Sequence, residues 1–476
     1  VGCAIARELS RYQLRVTVLE KESDVAEGAS KANSAIVHAG YDAKPGSQKA
    51  LFNVKGSRMF EKWCAELDVP FRRNGSLVVA FSEEEYSVLE ELKERGEING
   101  VEELRIVEQE ELRFMEPNLS QKATAALSAP SGAICCPYEL TFRLAENSAR
   151  NGVEFQFNSK VESIFKKDLY WYLRTTDGRE FKTHIIVNAA GLYADELNNQ
   201  VSDSKIEITA WRGEYLIIDK QYCRSFNSTI FQAPTPFGKG VLLAPTVDDT
   251  IIAGPTADIL NDKNDTRTTF EGIEKIVNSV SKVWENFPMS GVIACFSGLR
   301  AHEEKGDFVL GEPSDAPGFF NVAGIESPGL TAAPALAEWL SDKIIDKLKV
   351  EKRSDFNTDA GHWKRFRNMS MEERAEAVEA DPEYGKIVCR CEEVTEAEIR
   401  ASIRCRAGAT TLDGVKRRTR SGMGRCQGGF CTPGIIEILC EELNLKPEQV
   451  TKFGAGSGML FPDEGMPQCG GAVEND

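Results

Sequence analysis

Apolar positions change their period several times along the chain, and each change marks an element. VGCAIARELSRYQLRVTVLE spaces its first apolar residues as a helix does, then crowds Val16, Val18 and Leu19 together, which predicts a helix followed by a strand ending on Glu20. Segment 28–50, GASKANSAIVHAGYDAKPGSQKA, holds small residues and turn formers and reads as a loop. Residues 83–116 carry Leu and Val at helical spacing within charged runs, predicting amphipathic helices with a solvated acidic face. Residues 151–165 and 169–182 alternate as short strands, and IIVNAA is a buried strand running into Gly191. From 205 to 296 short apolar runs (EYLIID, GVLLAPT, TIIAGPT) between Pro, Gly and Asp predict a separate antiparallel sheet. Residues 297–350 read as a loop (SGLRAHEEKGDF), a strand (FFNVAGI), a turn (ESPGLTAAP) and a long helix through Lys349.

Polar residues 351–385 read as a linker with one helix across MEERAEAVEA, and a last ordered module begins at Lys386. There Thr395 and Glu398 form a capping box for a helix to about Cys405. Pro433 takes the first position of another helix, whose buried face holds Ile435, Ile436, Leu439 and Leu443. Residues 446–476, rich in Gly and Pro, read as a loose tail.

A length of 476 residues, 41% hydrophobic and 28% charged, is enough for two to four soluble domains. The net charge of −17 argues against nucleic acid or anionic lipid as the main partner, since both draw on a basic surface. No run of 18 apolar residues and no basic-then-apolar leader predicts a membrane span or a signal peptide. The chain opens Val1-Gly2-Cys3-Ala4, in what reads as the middle of a structural unit. In an acidic chain expected to be cytoplasmic, thirteen cysteines read as free thiols or metal ligands rather than disulfides, given the reducing compartment.

Four of those cysteines are clustered: CRC at 389–391 and CQGGFC at 426–431. The second pair sits in a glycine run that can be neither a stable helix nor a good strand, so something inorganic is expected to hold it. Four thiolates on two tight loops suit zinc or an iron–sulfur cluster. The close C-x-C spacing and the bare amides of Gly422, Gly424, Gly428 and Gly429, able to bond cluster sulfides, favour iron–sulfur. CRCEEVTEAEI, TLDGVKRRTRSGMGRCQGGFC and the Pro that follows resemble the bacterioferritin-associated-ferredoxin-like domain, a small helical [2Fe-2S] fold of about sixty residues. The resemblance implies a one-electron carrier with Cys389, Cys391, Cys426 and Cys431 as ligands. Lys416, Arg417, Arg418, Arg420 and Arg425 form a basic run whose readings are solvated loop charges, compensation of an anionic cluster, or docking of an acidic redox partner. Cys405 and Cys440 fall outside the ligand spacing and read as packing residues.

The preceding part suggests an electron source. A helix feeding a strand that ends in an acid is half of a dinucleotide-binding unit, and Gly2 stands eighteen residues before Glu20, close to the spacing of that motif. SAIVHAGYDAKPGSQKA, CPYELTFRLAENSARNGVEF, IIVNAAGLYADEL, RGEYLIID and GLRAHEEKGDF with NVAGIESPGLTAAPALAEWL resemble the FAD-dependent D-amino-acid-oxidase-type superfamily over residues 1–350. The nearest branch holds FAD-dependent glycerol-3-phosphate and L-2-hydroxyglutarate dehydrogenases, and the fusion to a [2Fe-2S] domain resembles the large subunits of the anaerobic glycerol-3-phosphate dehydrogenases. The fold class implied is α/β: a Rossmann-like FAD-binding domain (about 1–70, 135–200 and 290–350) interleaved with an antiparallel-sheet substrate domain (about 71–134 and 201–289), then the 351–385 linker, a small helical [2Fe-2S] domain at 386–445 and the 446–476 tail.

The resemblance also implies roles. Glu20 would bind the adenosine ribose and Gly2 would admit the pyrophosphate. Ser30, Lys31, Asn33, Ser34 and His38 would pass along the flavin ring, Val161 would lie on the adenine side, and Ala190-Gly191 would turn close to the cofactor. Gly298, Gly329, Leu330 and Thr331 would close over the flavin, the last three at a helix N-terminus whose partial positive charge suits a reduced anionic flavin. Oxidising a carbinol requires a base, and imidazole suits neutral pH, which leaves His38 or His302; His184 and His362 read as structural. Arg300 resembles the arginine that holds a substrate acid group, with Arg212, Lys239 and Tyr41 as further substrate candidates. Tyr41-Asp42-Ala43 stands where the glycerol-3-phosphate branch carries an Arg-Tyr pair, and KPGSQKA is closer to the hydroxyglutarate branch.

The expected activity is therefore FAD-dependent oxidation of a small anionic 2-hydroxy compound, foremost sn-glycerol 3-phosphate, with electrons leaving through the cluster to a second redox subunit. L-2-Hydroxyglutarate or another 2-hydroxy or amino acid is the alternative substrate, and a non-catalytic assembly or sensor subunit the alternative of another class. The expected location is cytoplasmic, with contact at the inner face of the membrane through a partner as an option.

Overall fold

Helix-period spacing at the start of the chain produces a helix over Gly2–Leu9, with Ala4, Ile5 and Leu9 buried, followed by the strand Thr17–Leu19. That strand pairs in parallel with Glu154–Gln156, which follows the helix Pro137–Arg150. Parallel strands cannot be joined by a tight turn and need crossovers that cover them. Gly2–Leu9 accordingly packs against Pro137–Arg150 and against the long helix Gly329–Leu348. A second parallel pair, Ile186–Asn188 with Phe319–Ala323, leads into that long helix.

The computed structural model describes residues 1–234 and 240–461. It falls into two units, one of Val1–Lys21 and Val25–Trp363, the other of Glu22–Asp24 with the chain from Lys364 onward. Beside the parallel pairs, the first unit contains a nine-stranded sheet. Its pairings are antiparallel except for Thr229–Gln232 beside Ser76–Ala80. Leu77, Val79, Leu216, Ile251 and Trp284 form the core between this sheet and the helix Phe270–Val283.

A second core lies between the helices Gln48–Glu66 and Gly329–Leu348, around Phe52, Phe60, Trp63, Leu336 and Leu340. These helices cross so closely that a Cβ on Gly56 would lie 2.0 Å from the Thr331 carbonyl oxygen, a position only glycine tolerates.

Several expectations are corrected by tertiary pairing. SGLRAHE is not a loop: it lies within the twelve-residue strand Val292–Glu303, which pairs with the whole of Ile208–Ile218. Arg105–Glu108, inside the run expected to be all helix, is an edge strand that pairs with Ala125–Ala129 and buries Val107. Phe270–Val283 is a helix inside the stretch expected to be strands.

Residues 351–363 are packed rather than slack. The Asn147 side chain donates to the carbonyls of Asn357 (3.1 Å) and Thr358 (3.3 Å), Arg353 donates to that of Asn151 (2.6 Å), and the fully buried Arg143 donates to that of Gly361. The expected helix across 371–380 is present with a Ser370–Glu373 capping box, and belongs to the second unit.

In the second unit, helices Glu396–Arg404, Leu412–Thr419 and Thr432–Leu443 enclose Ile399, Val415, Ile435 and Leu439. The Thr395–Glu398 capping box forms as expected. The stretch after 446 is no loose tail as far as it is described: Val450 is fully buried, and the amides of Leu412 and Asp413 donate to the carbonyls of Thr451 (3.1 Å) and Lys452 (2.8 Å). Among the described residues no helix is long and apolar enough to cross a membrane.

Buried charge locks this unit. Asp24 is 1% exposed; Arg418 reaches its two carboxylate oxygens at 2.5 and 2.8 Å, and Arg417 adds a contact at 3.1 Å. Arg420 pairs with the buried Glu392 at 3.0 Å. The expected basic run is therefore largely withdrawn from solvent, and of its arginines only Arg425 is exposed. Burial alone would raise the Asp24 carboxyl, but the two guanidiniums overcome it and hold the group below the ordinary aspartate range. A depressed carboxylate contributes stability above its unfolded value and loses it as pH falls through the folded one.

The Asp24 contribution should thus be complete at neutral pH and fade below about pH 4. Arg418→Ala, which removes the main counter-ion of a buried carboxylate, should cost about 3–5 kcal/mol at pH 7 by chemical denaturation. An unchanged midpoint would refute the lock.

Candidate functional site

The long pair Ile208–Ile218 and Val292–Glu303 sets opposite one another Trp211 and Arg300, Gly213 and Gly298, and Tyr215 and Phe296. Strand alternation puts Gly298, Arg300 and His302 on one face, successive members about 7 Å apart. Arg300 lies over Gly213, where a Cβ would stand 2.6 Å from its Nη2, and that nitrogen donates to the Thr256 carbonyl at 2.6 Å. Tyr215 stacks on Phe296, and its hydroxyl lies 3.3 Å from Ser34 Oγ. Burial raises the Tyr215 phenol above its ordinary range, partly offset by Arg300.

Gly298 brings the loop onto this strand: a Cβ there would be 1.9 Å from the Ala32 carbonyl oxygen. Within the loop Asn33 donates to the carbonyls of Ala29 (3.0 Å) and Ser30 (3.2 Å) and accepts from the Ala35 amide (2.9 Å). Lys31 pairs with Glu27 at 2.7 Å. These side chains shape the loop itself.

Both candidate histidines reach one turn. His38 Nε2 lies 3.3 Å from Ser327 Oγ, and His302 Nδ1 lies 3.1 Å from Glu326 Oε1. Glu326 Oε1 also takes Lys49 Nζ at 2.6 Å, and the His302 ring packs on Trp211 with 4.3 Å between centroids. The His38 backbone is tied down as well: its amide donates to Thr331 Oγ1 at 2.9 Å and its carbonyl accepts from Asn53 at 3.2 Å. Thr331 is fully buried in the first turn of Gly329–Leu348, so Gly329, Leu330 and Thr331 present a helix N-terminus beside His38. Lys49, Asn53, Glu326 and Ser327 were not expected; Glu326 and Ser327 lie in the recognised ESPGLTAAP turn, but their partners are far away in sequence.

The residues expected at the nucleotide end are placed as follows. A Cβ on Gly2 would meet Ala189 at 3.7 Å, placing the start of the first helix beside the Ala190-Gly191 turn, where Gly191 takes φ +58° with open space around its Cβ position. Glu20 ends its strand, its amide donating to the Gln156 carbonyl at 2.9 Å and its carbonyl accepting from Ser159 at 2.8 Å. Val161 starts a strand of a three-stranded sheet, opposite Thr175. This combination of glycine approach, strand-end acid and helix N-terminus fits FAD.

Two candidates stand apart from this group. Tyr41 is buried in the apolar cluster of Leu89, Val101 and Leu104, and burial drives its phenol far above the ordinary range despite a bond to Ser76. Arg212 faces the other side of its strand from Arg300, against Glu214 (3.3 Å) and Asp265 (3.4 Å). Lys239 lies outside the described residues.

The four cysteines meet as two pairs. Cys391 and Cys426 sulfurs are 3.5 Å apart, and the Cys389 and Cys431 thiols hydrogen-bond. Among the described residues no three His, Cys, Asp or Glu groups converge on a single point. The amides of Gly428, Gly429 and Phe430 point at the Cys426 sulfur, those of Gly422 and Glu392 at Cys389. The bond from Cys431, helped by those amides against burial, pulls the Cys389 thiol down to about 6, while Cys431 is pushed up as the partner that keeps the proton. Thiolates stabilised by backbone donors are the environment an iron–sulfur cluster requires. Gly424 completes the cradle, since a Cβ there would stand 2.3 Å from that of Cys391.

Residues 1–343 match the family model FAD dependent oxidoreductase, and residues 387–441 match BFD-like [2Fe-2S] binding domain. A glycerol 3-phosphate dehydrogenase of Caloramator mitchellensis is 47% identical over 97% of this chain and 96% of its own length. A glycerol 3-phosphate oxidase of Mycoplasma genitalium is 33% identical over 75% of this chain and 94% of its own. The solved structure of dithionite-reduced L-α-glycerophosphate oxidase from Mycoplasma pneumoniae, with FAD bound, superposes with a TM-score of 0.72 at 31% identity, over 75% of this chain and 95% of that one.

Gly424→Ala should weaken cluster retention on the order of tenfold or more, read as iron and sulfide per chain, with flavin content unchanged. Full iron in that variant would show that the cradle is not the cluster's seat.

Proposed function

The chain belongs to the FAD dependent oxidoreductase family and carries a BFD-like [2Fe-2S] binding domain, and on that premise we propose that it oxidises sn-glycerol 3-phosphate to dihydroxyacetone phosphate and releases the electrons singly, through the cluster, to a separate redox protein. The observation that carries this reading is the meeting of His38 and His302 at Ser327 and Glu326, beside the Gly329–Thr331 helix start and on the strand face that holds Arg300. A base, a fixed cation and a flavin-facing helix end are what hydride removal from an anionic alcohol demands.

FAD, when bound, supplies the two-electron hydride acceptor. We assign to Arg300 the substrate's phosphate: its Nη2 is held by the Thr256 carbonyl, and the rest of the planar guanidinium remains for oxyanion contact. We assign to His38 Nε2 the hydroxyl proton, which leaves as the C–H bond breaks and the carbonyl forms. Ser327 orients that ring, and the backbone bonds to Thr331 and Asn53 fix its depth. We assign His302 another part, since its Nδ1 is bonded to a carboxylate that also neutralises Lys49. It serves to hold the Glu326 turn.

The oxidase relatives support the outlet. They match a share of this chain that the first unit alone accounts for, and an oxidase discharges its electrons to oxygen. The dehydrogenase relative extends over the cysteine module as well.

Glycerol 3-phosphate should bleach the flavin anaerobically while L-2-hydroxyglutarate leaves it yellow; the opposite pattern would move the enzyme to hydroxy acids. His38→Ala should lower kcat by roughly 10²–10⁴ with flavin content retained, and Arg300→Ala should chiefly raise KM. A His38→Ala enzyme of normal kcat would remove the base.

A further inference from the structure

We infer that Glu392, at the centre of a buried ion group joining the two cysteine loops, is a positioning residue that tunes the reduction potential of the [2Fe-2S] site. The inference rests on the cluster and on no choice of substrate. Glu392 follows Cys391 directly and is 2% exposed. Its Oε2 accepts from Arg420 Nε at 3.0 Å and from Arg367 Nη1 at 3.2 Å.

These partners come from two further segments. Arg420 caps the helix Leu412–Thr419 in the left-handed region, φ +68°, and opens the stretch that carries Cys426. Arg367 lies in the turn Phe366–Asn368. The other oxygen of the carboxylate also borders the second loop, since a Cβ on Gly424 would stand 3.4 Å from Glu392 Oε1. One residue thus holds the first loop by its backbone and the second by its side chain. Its amide points at the Cys389 sulfur, while its carboxylate opposes negative charge there.

Such a buried group adds little stability over apolar packing. Beside an iron–sulfur cluster it has a second effect, because net charge and solvent exposure set these potentials. The charges are withdrawn from water, with side-chain exposures of 1% for Glu392, 11% for Arg420 and 21% for Arg367, so salt screens them little. Reduction adds an electron to a site already anionic from its four thiolates. The carboxylate disfavours that electron and the two guanidiniums favour it.

The test titrates the intact holoenzyme anaerobically with dithionite and redox mediators, following the cluster by electron paramagnetic resonance and the flavin in the visible. A chemical reductant keeps the outcome independent of the substrate. Glu392→Gln, similar in shape but neutral, should raise the cluster's reduced-to-oxidised ratio at a fixed potential about tenfold, or about 59 mV for one electron. Arg420→Gln and Arg367→Gln should shift it the opposite way. Arg367→Gln alters the more exposed guanidinium and should keep full iron, and the flavin potential should stay at the wild-type value in all three.

A merely structural group would, when damaged, open the site to water and move every variant in one direction. Shifts of the same sign in Glu392→Gln and Arg367→Gln, or unmoved potentials with iron retained, would therefore overturn the tuning role. Iron-loaded wild type that gives no reduced-cluster signal in excess dithionite would instead overturn the cluster on which it rests.

Discussion

One turn, Glu326 to Thr331, holds the oxidising half of the molecule together. It receives His38 from an N-terminal loop, His302 from the long strand and Lys49 from the start of a helix, and then becomes the N-terminus of Gly329–Leu348. His38 and Lys49 lie more than 270 residues from the turn and His302 lies 24 residues before it, so none could be placed by local structure alone. The same helix is pressed onto Gln48–Glu66 at Gly56, at a separation that admits no side chain. Backbone approach thus sets the depth of the turn, and the turn sets both imidazoles. Because the polar contacts span so many elements, a shift of any one moves the imidazoles relative to Arg300.

Buried charge is used in both units to fix segments that have little apolar surface. In the first, Arg7 is fully buried between Glu66 (2.5 Å) and Asn147 (3.1 Å), while Arg143 spans Leu67, Glu146 and Gly361. In the second, Asp24 is enclosed by Arg417 and Arg418. Such pairs gain little over a well-packed apolar contact, but removing one partner leaves a charge stranded, so they penalise alternative packings more than they stabilise the correct one. That suits polar stretches such as 351–363, which bury little of their own.

What could be read from sequence follows the range of the forces involved. The cysteine module was legible because its constraints are local: two short loops, a capping box from Thr395 to Glu398, and a proline at a helix start. The flavin half was legible as motifs, and some of their residues meet in space, as Gly2 does with Ala189 and His38 with Thr331. SGLRAHE failed because its polar residues and glycine mimic a loop, and only eleven residues of partner strand, 208–218, make it a strand. Tyr41 and Arg212 lie apart from the group for the related reason that residue type suggests a role while the face of the element decides the surroundings. Glu326, Ser327 and Lys49 carry no local signal, because their importance lies in what they touch. The basic run before Cys426 misled in the same way, since the carboxylate that absorbs two of its arginines sits near the other end of the chain.

A flavin that stores two electrons, joined to a cluster that stores one, makes a three-electron protein. Anaerobic titration with glycerol 3-phosphate, followed in the visible for flavin and by electron paramagnetic resonance for the cluster, measures that capacity directly. The account predicts an endpoint at about 1.5 substrate equivalents per chain, with the reduced-cluster signal growing as the flavin bleaches. An endpoint at about one equivalent with a silent cluster would contradict it, because electrons would then enter the chain and find no way to the sulfur-bound iron.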